Sequence, residues 1–91
     1  MSADKLKYYD ENGRLSKSAL LPHYNWICQA PGYMGGQPAV FGKRVSVSFI
    51  LECIEQGLTP DEVAQDYEVP IEAVQEALHF ASHVVGERAI G

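Results

Sequence analysis

Two histidines that stand four residues apart, His79 and His83, are the most direct candidates for chemistry in this sequence. On a helix this spacing puts both rings on one face, where they could share a metal ion. No acidic residue lies between them, and no third ligand follows at a spacing typical of metal sites. The sequence therefore predicts no metal site and indicates two partly exposed histidines on a helix surface.

The two cysteines, Cys28 and Cys53, match neither a metal-binding spacing nor a redox motif. Neither has the neighbouring basic residues that would stabilise a thiolate, so we expect two reduced thiols. The glycine-rich stretch 32–36 lacks the lysine of a phosphate-binding loop and is typical of a turn. We predict a non-enzymatic protein without a cofactor, because the sequence shows no set of acid, base and nucleophile.

The charge balance limits the partners that the chain can bind. Its 91 residues include seven Lys and Arg against twelve Asp and Glu, a net charge of −5. Because phosphate neutralisation supplies most non-specific affinity, an acidic chain is a weak nucleic-acid binder by default. The acidic residues of the predicted helices form either a solvated surface or a docking surface for a basic partner. Arg44, beside Lys43, is either a salt-bridge partner within the fold or a contact to phosphate or to a partner.

Hydropathy indicates a cytoplasmic globular protein. The chain is 46% hydrophobic and 21% charged, which is the balance of a folded domain rather than a disordered segment. No apolar run approaches the roughly 18 residues of a membrane span. The first residues contain no apolar segment of the kind that a secretory signal needs. We therefore expect neither membrane insertion nor secretion.

The sequence predicts two regions of different structural order, with the boundary at residue 23. Residues 1–23 are expected to be a loosely ordered N-terminal extension, in which Asn12-Gly13 marks a turn. The flanking Tyr8, Tyr9 and Leu15 could pair as a small hairpin. Residues 24–91 are expected to form one domain, because a chain of this length has no room for a second.

A β-hairpin is predicted at the start of this domain. Gly42-Lys43 suits a two-residue type II′ turn, because the first central residue needs positive φ. On the second arm, Val45 and Val47 are expected to share one face. A hairpin alone is marginally stable, and its edges favour pairing with another chain. We therefore predict a homodimer with an interface that contains the apolar residues of this region: Trp26, Val40, Phe41, Val45 and Val47.

Two short helices are predicted after the hairpin. Ser48 is expected to cap a helix over Phe49–Gln56, with Gly57 just beyond its end. Thr59-Pro60-Asp61-Glu62 is a capping box with proline at the first helical position, which predicts a second helix over Pro60–Tyr67.

A longer third helix is predicted to open at Pro70 and to end at Gly86. Its apolar residues recur at steps of three and four, which is typical of an amphipathic helix: Ile71, Val74, Leu78, Ala81 and Val85. Short helices joined by turns of three or four residues form a helix-turn-helix pattern. The predicted fold is mainly α, with a trihelical helix-turn-helix core, of winged-helix or homeodomain-like type, preceded by an N-terminal β-hairpin.

A family pattern extends from Trp26 to His83. Its most specific part is residues 35–52, GGQPAVFGKRVSVSFILE, and its later part includes Asp61-Glu62-Val63-Ala64. This pattern resembles the small helix-turn-helix family known as domain of unknown function 433. The resemblance implies a dimeric DNA-binding-type fold. It also implies the role of a bacterial VapB-like antitoxin, encoded beside a PIN-like ribonuclease toxin.

On this basis we predict a non-enzymatic regulatory protein of antitoxin type. It would bind a partner protein, a PIN-like ribonuclease toxin, as a homodimer, and operator DNA would be at most a weak second ligand. The alternative is a protein-interaction module that keeps the helix-turn-helix fold without DNA binding. A recognition helix normally presents basic or amide side chains, yet this one has no Lys or Arg between Pro70 and Val85. The candidate DNA contacts are Lys43, Arg44, Gln75, His79, Ser82 and His83.

Overall fold

The computed structural model describes residues 7–88, and the side chains of residues 7–86. Three short strands precede three helices. The strands are β1 (Ile27–Cys28), β2 (Ala39–Val40) and β3 (Val45–Ser46). The helices are α1 (Val47–Glu55), α2 (Pro60–Asp66) and α3 (Ile71–Arg88). The protein is thus mainly helical with a small antiparallel sheet in the order β1-β2-β3.

The sheet separates two hydrophobic clusters, because side chains alternate along each strand. Ile27 pairs with Val40, and both are fully buried against the helices. Cys28 pairs with Ala39, and both are buried on the opposite face. The helical cluster is the larger of the two and is completed by Val47, Ile50, Cys53, Val63, Val69, Ala73, Val74 and Ala77.

The second cluster is covered by residues 7–21, which we call the N-terminal layer. Ala19 is buried in this cluster, and Leu15 and Leu20 pack against it. Tyr9 pairs with Leu15 across the Asn12-Gly13 turn, which confirms the predicted pairing. Leu20 pairs in turn with Cys28 of β1. Looseness of residues 1–23 in solution stays a prediction, and its first six residues lie outside the described part of the chain.

The turn between β2 and β3 differs from the predicted type II′ turn. The Lys43 N–H donates to the Val40 carbonyl at 3.2 Å, so the turn is formed by residues 40–43. Gly42, with φ of 74°, is therefore the third residue of the turn rather than the second. Positive φ at that position is the requirement of a type II turn. The loop continues to Arg44, whose own φ of 53° lets β3 begin at Val45.

Helix α1 begins two residues earlier than predicted. Its N-cap is Ser46, whose hydroxyl accepts a hydrogen bond from the Phe49 N–H at 3.0 Å, so the assignment of Ser48 as the cap is wrong. Val47 consequently belongs to the helix and does not share a strand face with Val45. The earlier start is favoured because it puts Val47 and Ile50 together on the buried face of the helix.

The capping box of α2 is confirmed. The Glu62 N–H donates to the Thr59 hydroxyl at 3.1 Å, and the Thr59 N–H donates to the Glu62 carboxylate at 2.8 Å. The helix ends at Asp66, one residue before the predicted end. Tyr67 is its C-cap, and Glu68 then takes positive φ of 54° and turns the chain toward α3.

Helix α3 continues through Gly86, so the predicted end at that glycine is wrong. A glycine ends a helix where the backbone turns to positive φ, whereas Gly86 lies within the helical run to Arg88. It is exposed, and its cost there is only the roughly 1 kcal/mol of lost helix propensity. Across the described residues, none of the helices has the length and apolarity that crossing a bilayer would demand.

Candidate functional site

Four of the predicted DNA contacts share one exposed face of α3. Gln75, His79, Ser82 and His83 are all exposed, and their spacing of four, three and one puts them on one side of the helix. Three of them line an open groove of about 610 Å³, which we call the histidine groove. Its residues are Pro22, His23, Tyr24, Gln75, Glu76, His79 and His83. Ser82 lies beside it, in a smaller pocket that also contains His79 and His83.

Aromatic contacts fix the wall of the histidine groove. The Tyr24 ring meets Phe80 edge-on at a centroid distance of 5.4 Å and lies 6.2 Å from the His79 ring. The His79 and His83 rings stack at 6.2 Å with an interplanar angle of 25°. His23 holds a positive φ of 71°, which is uncommon for a residue with a side chain. The segment before β1 therefore lies directly against the exposed face of α3.

Glu76 attaches that segment to the helix. Its carboxylate accepts hydrogen bonds from three successive backbone N–H groups, those of Asn25 at 2.9 Å, Trp26 at 2.5 Å and Ile27 at 3.2 Å. By sequence, Glu76 belongs with the acidic residues of the predicted helices, and this role was not predicted. A signal was present, because Glu76 is three residues after Ala73 and four before Phe80, at the border of the buried face.

The two predicted basic contacts lie elsewhere. Lys43 and Arg44 are exposed on the loop between β2 and β3. The Arg44 guanidinium lies 5.9 Å from the centre of the Tyr33 ring, and the Arg44 N–H donates to the Tyr33 hydroxyl at 3.2 Å. Arg44 lines a second groove, which has no lining residue in common with the histidine groove. The candidate DNA contacts are thus divided between two surfaces.

We call this second surface the edge groove, because both residues of β3 line it. Its volume is about 500 Å³. The Phe49 and Tyr67 rings meet edge-on at a centroid distance of 4.8 Å, and 43% of Tyr67 is exposed. The electrostatic effect of the neighbouring Cys53, and then desolvation, raise the pKa of Tyr67. The complete lining is Met34, Gln37, Arg44, Val45, Ser46, Ser48, Phe49, Glu52 and Tyr67.

The five predicted interface residues have different exposures. Val40 is fully buried and Val47 is 5% exposed, so both side chains are used inside the protein's own helical core. Trp26 is half-buried against that core, and Phe41 is half-buried against the second cluster. Val45 is the member of the five that lines the edge groove. Most of these apolar side chains are therefore buried within one chain, and the dimer itself stays a prediction.

Both cysteines are free and buried. Burial raises the pKa of the Cys28 thiol to about 11, and this thiol lies 3.4 Å from the Ala39 carbonyl oxygen. A thiol in this state is a poor nucleophile, because the thiolate is the reactive form. Within residues 7–86, no three His, Cys, Asp or Glu side chains come together in a way that could hold a metal ion.

The fold and the two candidate sites define a small, mainly helical protein with one groove along α3 and another beside β3. The family model described as "Protein of unknown function (DUF433)" matches residues 27–81, which is more than half of the chain. The chain therefore belongs to the DUF433 family, as the resemblance indicated. Comparisons with curated proteins and with solved structures gave no match.

Proposed function

We propose that this DUF433 protein is a non-enzymatic regulatory protein of antitoxin type. It binds a partner protein, a PIN-like ribonuclease toxin, as a homodimer, and contacts operator DNA secondarily. The observation that carries this proposal is the exposed face of α3, on which Gln75, His79, Ser82 and His83 follow one another beside an open groove. The chain belongs to the DUF433 family. The resemblance to that family implies a VapB-like antitoxin, which supports the same role.

The charge distribution supports a basic protein partner over DNA as the main ligand. From Val45 to Gly86 the chain has eight acidic residues and no Lys or Arg. Seven of these acids are exposed, and the eighth, Glu76, is occupied by backbone N–H groups. An acidic surface repels duplex phosphates and attracts a cationic protein surface, which raises the association rate.

The candidate DNA contacts lie on two different surfaces, and this arrangement supports only weak operator binding. Lys43 and Arg44 could neutralise about four phosphates in a dimer, which predicts a slope near −4 for log affinity against log salt. Readers of DNA usually combine phosphate contacts with an amide or Arg at the base edges of the same surface. Here the amide of Gln75 and the two basic side chains line or flank different grooves.

Affinity purification from the native host tests the partner. A small basic ribonuclease that co-purifies would support the antitoxin role. Any other partner would favour the second candidate, an interaction module on a helix-turn-helix fold with no DNA binding. That candidate is favoured by the lack of Lys and Arg on α3 between Ile71 and Gly86.

Fluorescence anisotropy with the protein's own promoter tests DNA binding. At about 150 mM salt we expect no tight binding by the isolated chain, and tighter binding when a basic partner joins. The paired variants are Gln75→Ala with His79→Ala, and Lys43→Ala with Arg44→Ala. Nanomolar binding that only the first pair abolishes would show that α3 reads bases and would overturn the preference for a protein partner.

A further inference from the structure

We propose that the edge groove is the interface between two copies of this chain, related by a twofold axis. This inference rests on the homodimer of the proposed function and adds the surface that forms it. Three observations meet at the groove: a sheet edge, a partly exposed aromatic pair, and a cation and an anion in the same lining.

The sheet has one covered edge and one open edge. Beyond β1, the Leu21 N–H donates to the Ile27 carbonyl at 2.9 Å, and Leu20 pairs with Cys28. At the other end, β3 pairs with β2 and, within residues 7–88, with no further strand. Open edges favour pairing with a second chain. Val45 and Ser46, the two residues of β3, both line the edge groove.

The groove also exposes the apolar side chains that an interface needs. Tyr67 is 43% exposed although its ring packs on Phe49, and Val45 and Phe49 are half-buried. Aromatic side chains of this kind are enriched at the centres of protein interfaces. A second chain that covers the groove would remove all three from water.

The charged residues that line the edge groove favour a second copy of this chain as its occupant. Between Lys17 and Arg88 the chain has only one Lys, Lys43, and one Arg, Arg44. Arg44 lines the edge groove, and so does Glu52, with opposite charge. A twofold interface brings a surface against itself, so residue i of one chain faces residue j of the other and the reverse. One cation and one anion on the same groove are therefore self-complementary, with Arg44 of each copy facing Glu52 of its mate.

Two charge reversals test this arrangement by sedimentation velocity. In Arg44→Glu alone, carboxylates would face each other at both symmetry-related contacts, and in Glu52→Arg alone, guanidinium groups would do so. We expect each variant to raise the dimer dissociation constant at least about tenfold, because like charges at an interface are strongly unfavourable. Mixing the two variants makes both contacts attractive again, so we expect the mixture to dimerise like the wild type.

Matched controls separate the groove from general charge effects. Lys43→Glu makes the same charge change at the neighbouring residue, and Glu55→Arg makes it one turn further along α1. Both residues are exposed and neither lines the groove. We expect both controls to dimerise within about twofold of the wild type. Tyr67→Ser should weaken the dimer without changing a charge, and circular dichroism checks that each variant is folded.

The outcomes distinguish this interface from the rest of the proposed function. A wild-type dimer that both reversals leave intact, or a mixture that stays monomeric, would overturn the edge groove as the interface while the homodimer stands. A wild-type chain that is monomeric at about 100 μM would overturn the homodimer as well. Arg44 in this interface would leave Lys43 as the phosphate contact of the loop, so a dimer formed here predicts a salt slope nearer −2 than −4. Partner capture is measured separately, by co-purification.

Discussion

Glu76 shows how much one half-buried carboxylate can determine in a small protein. Its two oxygens accept three backbone hydrogen bonds from residues 25–27, about fifty positions earlier in the chain. These bonds set where β1 begins and bring Tyr24 against His79 and Phe80. The shape of the histidine groove therefore depends on Glu76, a lining residue whose carboxylate is occupied by backbone N–H groups.

Replacing Glu76 with alanine is expected to lower the free energy of unfolding by about 2 to 3 kcal/mol, because three backbone donors, two of them partly buried, lose a charged acceptor. Urea titration measures this change, and the fluorescence of Trp26, the one tryptophan, reports on the same segment. Gln75→Ala is the control, since Gln75 is the exposed neighbour, and should stay within about 0.5 kcal/mol of the wild type. Equal losses in the two variants would show that the carboxylate does not hold β1.

This role illustrates what the sequence could not predict about the candidate site. The pattern of α3 placed Gln75, His79, Ser82 and His83 on one exposed face, and the structure agrees. The spacing of residues along α3 does not indicate which part of the chain packs against that face. The hydrogen bonds from residues 25–27 to Glu76 form only in the folded chain, because these residues are far apart in sequence. The same reason explains why Arg44 and Glu52, eight residues apart, were not recognised as neighbours on one groove.

At the scale of the elements, local chemistry predicted the helices well and their boundaries less well. The capping box at Thr59 fixes α2, because both of its reciprocal bonds involve residues within one turn. The start of α1 was ambiguous because Ser46 and Ser48 are both good caps. Packing decides between them: the Val47 N–H donates to the Pro38 carbonyl at 3.0 Å, which holds the end of β3 at Ser46.

Ser46→Ala is expected to cost about 1 kcal/mol of stability, because the Phe49 N–H loses its acceptor at the start of α1. Thr59→Ala should cost a similar amount through α2. Ser48→Ala should cost less than either, since its hydroxyl donates to the exposed Gln37 side chain and contacts the cap only through the Ser46 hydroxyl, at 3.1 Å. Thermal or urea unfolding of the three variants compares them directly. A larger loss for Ser48→Ala than for Ser46→Ala would restore the start of α1 predicted from the sequence.

At the scale of the whole molecule, the sheet is covered on both faces by different parts of the chain. The helices cover Ile27 and Val40, and the N-terminal layer covers Cys28 and Ala39. The layer is joined to the loop after β1, because the Tyr9 hydroxyl donates to the Pro31 carbonyl at 2.6 Å. The sequence did not predict this cover, since strands of two residues are too short to show which face is apolar.

The reactivity of Cys28 measures whether this layer is closed in solution. The thiol is fully buried, and burial raises its pKa to about 11, so both access and ionisation limit its reaction with a disulfide reagent. In a Cys53→Ala background we expect the intact chain to react slowly at pH 8. Deleting residues 1–21 should speed the reaction at least about tenfold, because the thiol gains solvent and its pKa falls toward the usual range.

Cys53 supplies the control for this measurement, because it is buried in the helical cluster on the other side of the sheet. In a Cys28→Ala background, the same deletion should leave the labelling rate of Cys53 within about twofold if the helical core stays folded. A rise in both rates would mean that the layer stabilises the whole domain rather than one face. Fast labelling of Cys28 in the intact chain would show instead that residues 1–23 are loosely held, as the sequence alone predicted.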